Sequence, residues 1–262
     1  MTDHARPVDI VVALPAHDEQ DLIGDCLASV IRAVDSAQRS GVVRRARVAV
    51  AAHRCTDDTA DQARSALALH PEVEGLVRIE REAMPVGSVR TRLVNAAVAA
   101  APSLAGDDVW IFNTDADTLV PADWITATLR RTREQRADLI LGLADLAEWP
   151  VDRATREAYE RIVADGLTGT GHQHAYAANL AIRLTAFQRV GGFPALPHGE
   201  EHGLAAACRA ADLTVISTLF PRVQTSARMP GRAAHGLGAL LARLVADEAD
   251  PSDVSACSAG SG

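Results

Sequence analysis

Short apolar, β-branched runs alternate with stretches of helical period through the first half of this chain. That alternation fixes the fold class before any side-chain chemistry is considered. Val8 to Leu14, Arg47 to Ala52, Leu76 to Ile79, Asp108 to Phe112 and Asp138 to Leu143 read as strands. From Glu19 to Val34 the apolar positions Leu22, Ile23, Cys26, Leu27, Val30, Ile31 and Val34 recur at helical spacing. Asp18, Glu19 and Asp21 put negative charge at the start of that helix, where the dipole favours it. Thr56-Asp57-Asp58 caps a second helix running to about His70. Gly87 to Ala100 is a third, and Pro121 to Gln135 a fourth with proline in its first turn. The order βαβαβαβαβ with short loops predicts an α/β fold, a mostly parallel central sheet with helices on both faces.

The second half is less regular. Arg153 to Leu167 and Glu200 to Ala211 read as helices, Gly169 to Tyr176 as a loop, and Leu213 to Thr218 as a strand. Ala177 to Arg183 reads as a strand packed beside the sheet, and His235 to Asp247 as a final amphipathic helix. Pro251 to Gly262, small and polar, reads as a disordered tail. With no repeat and no clear linker, residues 1–250 are expected to form one domain of two halves, about 8–120 and about 121–250.

Composition removes several function classes. A net charge of −8 leaves no basic footprint for nucleic acid. No apolar stretch approaches the roughly 18 residues needed to cross a bilayer, and Met1 to Arg6 lacks the apolar core of a secretion signal. Cys26, Cys55, Cys208 and Cys257 are scattered, as free thiols in a reducing cytoplasm would be. All 26 basic residues are arginine. Without lysine there is no P-loop NTPase, no protein kinase and no pyridoxal-phosphate enzyme. Any phosphate here is met by arginine, backbone N–H groups or metal.

The chemistry gathers where strands end. Val109-Trp110-Ile111-Phe112 leads into Asp115-Ala116-Asp117, two carboxylates one residue apart. Such a pair repels itself unless a cation lies between, and a hard divalent ion with oxygen ligands is the usual solution. Strand one ends in Pro15-Ala16-His17-Asp18-Glu19 and strand two in His53-Arg54-Cys55-Thr56-Asp57-Asp58. Taken singly, Asp18 and Asp57 are helix caps and the paired aspartates a loop. Taken together, three strands deliver polar groups to the rim where open α/β sheets bind ligands.

Leu14-Pro15-Ala16-His17-Asp18-Glu19, Cys55-Thr56-Asp57-Asp58-Thr59 and Thr114-Asp115-Ala116-Asp117, in that order, resemble the signature series of the family 2 glycosyltransferases of GT-A fold. Ala178-Asn179-Leu180-Ala181-Ile182-Arg183, Val190-Gly191-Gly192-Phe193-Pro194 and Gly199-Glu200-Glu201-His202 resemble the same family's acceptor-side series. The resemblance covers about residues 8–220. It implies that the first half binds the nucleotide sugar and that the second builds the acceptor and catalytic side. Pro15, Ala16, Asp18, Glu19, His53 and Asp57 would hold the nucleoside, with Asp115 facing the ribose or the metal. Asp117, with Asp115, would ligate Mn²⁺ or Mg²⁺. Arg90 would meet the diphosphate or base. The arginines of Ser226-Ala227-Arg228-Met229-Pro230-Gly231-Arg232 would close on the diphosphate as a flap. Glu201 is the candidate general base, with Glu200 as its alternate. His172 and His174 are assigned to the acceptor, and His235 is a candidate third metal ligand. The family's Asp-Asp-Gly-Ser run after strand two, whose aspartate reads uracil, is replaced here by Ala52-His53-Arg54-Cys55. That leaves the base open.

The reading is an inverting, metal-assisted glycosyltransferase, a hexosyltransferase-like enzyme of the cytoplasm. It takes a nucleotide-diphosphate sugar and a small-molecule or peripheral glycan or lipid acceptor, with no nucleic-acid partner. A homodimer is left open. Two rivals stand beside it, a nucleotidyltransferase of related fold and a non-catalytic nucleotide-sugar-binding protein.

Overall fold

The computed structural model describes residues 6–101, 108–147, 149–196, 198–228 and 237–249. Its framework is a seven-stranded sheet in the order β11-β6-β10-β4-β1-β2-β3. The first half supplies β1 (Val8–Ala16), α1 (Ile23–Arg39), β2 (Val43–His53), α2 (Thr59–Ala68), β3 (Glu74–Glu80), α3 (Val86–Ala99), β4 (Val109–Asn113) and β5 (Thr118–Leu119). Then come α4 (Trp124–Gln135), β6 (Leu139–Leu141), β7 (Ala144–Leu146), α5 (Arg153–Asp165), β8 (Leu167–Thr168) and β9 (Gly171–His172). The chain continues through β10 (Leu180–Arg183), α6 (Leu184–Arg189), α7 (Glu200–Ala210), β11 (Val215–Ser217), β12 (Val223–Thr225) and α8 (Leu237–Ala249).

Strands β3, β2, β1 and β4 pair in parallel, as do β11 and β6, whereas β10 runs antiparallel to both β4 and β6. The expected mostly parallel sheet is therefore present. Ala177 to Arg183 does not pack beside it, however. Its strand enters the sheet between β4 and β6 and turns one layer of hydrogen bonds antiparallel.

The sheet is buried on both faces, which is why its central strands read as continuous apolar runs. Alternate residues divide between two cores. Ile10, Val12, Leu14, Val48, Val50, Trp110 and Phe112 pack with Leu27 and Val30 of α1 and Trp124 and Leu129 of α4. Val11, Ala13, Ala49, Ile111 and Ile182 pack with Val89 and Leu93 of α3, Phe187 of α6 and Leu204 of α7. A smaller cluster of Trp149, Tyr159 and Leu241 joins α5 to α8.

Helix α1 starts four residues later than the periodicity predicts. Residues 19–22 form a turn instead, closed by Leu22 N–H to the Glu19 carbonyl at 3.0 Å. That turn presents Asp18 and Glu19 to the rim. Two elements were not foreseen. One is α6. The other is a second sheet, β5-β12-β7, in which Thr225 lies opposite Thr118. The expected loop 169–176 contains β9, paired with β8. The expected tail 251–262 lies outside the described residues.

Candidate functional site

The loops after β1 and β2 are locked to each other by reciprocal hydrogen bonds. Gln20 N–H donates to Asp57 Oδ2 at 3.2 Å, and Asp58 N–H donates to Gln20 Oε1 at 3.1 Å. Glu19 N–H donates to the Thr59 hydroxyl at 2.7 Å, and Thr59 N–H to Asp57 Oδ1 at 3.0 Å. Asp57 therefore holds the first residue of α2 from just before its N-cap, Asp58, and also fastens the neighbouring loop. Asp18 accepts from Thr56 N–H at 2.6 Å, which holds its carboxyl below the usual range. Pro15 and Ala16 pair in register with Ala51 and Ala52 at the end of β1. His53 ends β2, with Nε2 3.0 Å from the Glu82 carbonyl.

From that rim a line of alternating acids and arginines crosses the ends of β1 and β4 to α7. Arg228, on the loop after β12, reaches back to Glu19 Oε1 at 2.5 Å and lies 3.7 Å from Asp117 Oδ2. Asp117 Oδ1 also accepts from the Thr225 hydroxyl at 3.3 Å and the Thr118 hydroxyl at 3.4 Å. Asp115 is bound by Arg90 Nη2, and Arg90 Nε donates to Glu200 Oε1 at 3.4 Å. Glu201 follows in the first turn of α7, 3.4 Å from His202 Nδ1. The rim thus collects Glu19, Asp115, Asp117, Glu200 and Glu201 against two guanidiniums.

The electrostatic consequences follow from burial. The Asp117 side chain is 19% exposed. Burial, followed by the charges of Asp115 and Glu19, pushes its pKa up to about 6. Glu201 is raised too, first by burial and then by Glu200 beside it. Arg90 is 3% exposed; burial opposes its charge, but Asp115 and Glu200 outweigh that and hold it protonated. Its Nη1, both amide atoms of Asn113 and the Thr114 hydroxyl are buried with no partner among the described residues. Such groups are ordinarily met in native proteins.

Local sequence explains the geometry. Gly199, at φ +72°, turns the chain into α7 through backbone that side chains disfavour, and so starts the helix at Glu200. Gly87 lets α3 approach the same segment. A Cβ there would lie 2.3 Å from the Pro194 carbonyl oxygen and 3.0 Å from Glu200 Cβ. The close approach, pinned by Phe193 N–H to the Thr91 hydroxyl at 2.9 Å, brings Arg90 to Glu200.

The structure thus brings Asp18, Glu19, Asp57, Arg90, Asp115, Asp117, Glu200, Glu201 and Arg228 to one rim. His172 and His174 each have one ring nitrogen on a backbone carbonyl. His172 Nε2 donates to the Leu141 carbonyl at 3.1 Å and His174 Nε2 to that of Val163 at 2.9 Å. Their rings stack in a column with Tyr176, at centroid spacings of 6.0 and 5.7 Å. Arg232 and His235 lie outside the described residues. Sequence reasoning missed Thr118 and Thr225 at Asp117. It also missed the buried anchor Asn179, which accepts from Trp124 Nε1 at 2.9 Å and donates to the carbonyls of Leu143 and Pro221. The motif containing Asn179 was visible; its partners, far off in sequence, were not. A cavity of about 650 Å³ between α4 and residues 220–222 contains none of the rim carboxylates.

No protein-family model and no curated protein sequence matches the chain. Solved structures do. The chain is similar to the mannosyltransferase PcManGT from Pyrobaculum calidifontis, solved in complex with GDP-Man and Mn²⁺. There the TM-score is 0.65 at 17% identity, over 87% of this chain and 59% of that one. It is similar to S. aureus TarS 1–349 in complex with UDP-GlcNAc, at TM-score 0.61 and 12% identity over 94% and 68%. A mycobacterial protein follows at TM-score 0.52 and 18% identity, over 91% and 73%. The chain spans 59% of the first of these structures. The chain shares the GT-A fold of these glycosyltransferase structures.

Proposed function

We propose that this protein is an inverting glycosyltransferase of the family 2 type, transferring a hexose from a nucleotide-diphosphate sugar to an acceptor hydroxyl. The observation that carries the reading is the acid–arginine line from Glu19 through Arg228, Asp117, Asp115 and Arg90 to Glu200 and Glu201. It offers a cation site, anion-binding arginines and a base of raised pKa along one rim. Residues 1–250 form one catalytic domain in this reading, and no described helix is long and apolar enough to cross a membrane. We place the enzyme in the cytoplasm with a small-molecule or peripheral acceptor.

The residues present fit a hard divalent ion. Burial first, and then the neighbouring charges of Asp115 and Glu19, raise the pKa of Asp117, and a bound divalent ion would offset both. Asp117 and Asp115 would hold Mn²⁺ or Mg²⁺. When bound, the ion neutralises the diphosphate and makes it a leaving group without proton transfer. Arg228, a third exposed, can exchange Glu19 for a phosphoryl oxygen, and Arg232 would follow on the same loop. Arg90 cannot move so freely. It fixes Asp115 and Glu200, while its Nη1 is buried without a partner among the described residues. Glu201 accepts the acceptor's hydroxyl proton; partial burial keeps its carboxylate basic enough for the task. Pro15, Ala16, Asp18, Glu19, His53 and Asp57 frame the nucleoside. The carboxylate that reads uracil in the family is replaced by His53-Arg54-Cys55, and a relative of this fold carries GDP-Man. GDP-sugars are therefore the first donors to try.

Calorimetry with GDP and UDP, with and without Mn²⁺, followed by turnover of the tighter donor, tests the reading. Metal-linked binding with sugar transfer or donor hydrolysis supports it. Binding without either, unchanged in Glu201→Gln, favours a nucleotide-sugar-binding protein.

A further inference from the structure

We propose that His17, Asp18 and Cys55 form a second metal site, for an ion of the zinc class, at the edge of the rim. Each offers one ligand atom, and these atoms lie within 4.8 Å of one another. His17 and Asp18 come from the loop after β1, and Cys55 from the loop after β2.

Proximity alone would be a weak reason, but two further features orient the ligands. His17 Nδ1 lies 2.8 Å from the His53 carbonyl oxygen. A carbonyl only accepts, so Nδ1 carries a proton, and in the neutral ring Nε2 then presents its lone pair. Proteins commonly set a ligating histidine in this way, by a backbone carbonyl on the other ring nitrogen. That Nε2 faces Asp18 Oδ2 at 4.0 Å. Asp18 is aimed similarly: its Oδ1 accepts from the N–H and hydroxyl of Thr56, at 2.6 and 3.3 Å, which turns Oδ2 toward His17. Cys55 Sγ closes the triangle, 3.4 Å from the Asp18 backbone nitrogen. Both loops reach this arrangement through left-handed backbone at non-glycine residues, Asp18 at φ +52° and Arg54 at φ +53°. Residues of this kind adopt such backbone uncommonly.

The donor set decides the metal. One imidazole, one carboxylate and one thiolate suit Zn²⁺ or Co²⁺, whereas Mg²⁺ and Mn²⁺ prefer oxygen. Tetrahedral coordination at ordinary bond lengths puts ligand atoms about 3.3–3.6 Å apart, a contraction that side-chain torsions can supply. On binding, the Cys55 thiol releases its proton to solvent and coordinates as thiolate. Three protein ligands leave a fourth position, and with His17 47% and Asp18 29% exposed it opens to water or to an incoming ligand. The ion would clamp the first two rim loops together. Its ligands do not include Asp115 or Asp117, so it stands whether or not that metal reading holds, although Asp18 also belongs to the proposed nucleoside frame.

Cobalt titration of the full chain tests it. One equivalent of Co²⁺ should develop a near-ultraviolet thiolate-to-cobalt charge-transfer band that Zn²⁺ abolishes, and Zn²⁺ should raise the melting temperature. Cys55→Ser should lose the band. His17→Gln, at a half-exposed position that tolerates change, should weaken Co²⁺ binding about tenfold or more. Asp117→Asn should keep the band even if it loses Mn²⁺-linked nucleotide binding, which separates the two sites. Absence of the band in the unsubstituted protein would overturn the proposal. So would its persistence in Cys55→Ser, unchanged affinity in His17→Gln, or its loss in Asp117→Asn.

Discussion

The two arginines of the rim do opposite things with the same chemistry. Arg90 rises from α3, is 3% exposed, and binds both Asp115 and Glu200, the latter 110 residues away in sequence. Arg228 hangs from the loop after β12, is 32% exposed, and spans Glu19 and Asp117. The first is enclosed by packing: Phe193 lies under its guanidinium at 5.8 Å, and Gly87 lets the helix close over Glu200. The second is held by charge alone, in contact with water. Burial makes one arginine a strut and exposure makes the other a latch. The proposed transfer would use both, with carboxylates that stay in place while a diphosphate enters and leaves.

The comparison can be broken by substitution at each end. The largest effect belongs to the strut's end, at Glu201. Glu201→Gln should lower turnover by a factor on the order of 10²–10⁴ with donor affinity held. In the unsubstituted enzyme the rate should fall with acidity below a pKa lying above the usual carboxylate value, because burial and Glu200 raise it. Affinity that collapses while saturated turnover survives would make Glu201 a binding residue.

Next comes the strut itself. Arg90→Met leaves Glu200, 5% exposed, without its counter-charge. Breaking a buried pair in this way costs about 3–5 kcal/mol, read as a lower urea midpoint. A loss below about 1 kcal/mol would show that Arg90 is no strut.

Asp117 is third. In the metal-free protein its pKa is about 6 against an ordinary 3.8, so the folded state binds this proton more tightly than the unfolded state. Its contribution to stability is full below about pH 4 and is lost as pH rises through 6, a swing on the order of 3 kcal/mol. Urea midpoints of metal-free protein should therefore fall from pH 4 to pH 8 relative to Asp117→Asn. Parallel pH profiles would contradict the assignment.

The smallest effect on stability belongs to the latch. Arg228→Gln should cost less stability than Arg90→Met, because Arg228 is a third exposed and glutamine keeps a donor toward Glu19, which is itself 7% exposed. It should nonetheless weaken nucleotide-diphosphate binding about tenfold or more. A stability loss as large as that of Arg90→Met would erase the distinction between them.

The sequence disclosed the strut's setting better than the latch's. Strand β4 is buried throughout and β1 everywhere but Pro15, so their apolar runs ended visibly just before Glu19 and Asp115. Helix α3 and the first turn of α7 were likewise legible, since helical period and the Gly199-Glu200-Glu201 step mark them. The pairing of Arg90 with Glu200 was not, because nothing local encodes a contact made by two helices folding together. The latch's support was hidden more deeply. Strands β5, β7 and β12 are two or three residues long, too short for a period to show. Thr225 earns its place at Asp117 only through pairing with β5, a tertiary event.

The central claim is that Asp117 and Asp115 carry a divalent cation for a nucleotide diphosphate. The most direct measurement is the calorimetric Kd for GDP and UDP, with and without Mn²⁺, in the unsubstituted protein and in Asp117→Asn. For at least one nucleotide, Mn²⁺ should tighten binding about tenfold or more in the former and leave the variant unchanged. Equal manganese dependence in both proteins, or none in either, would contradict it.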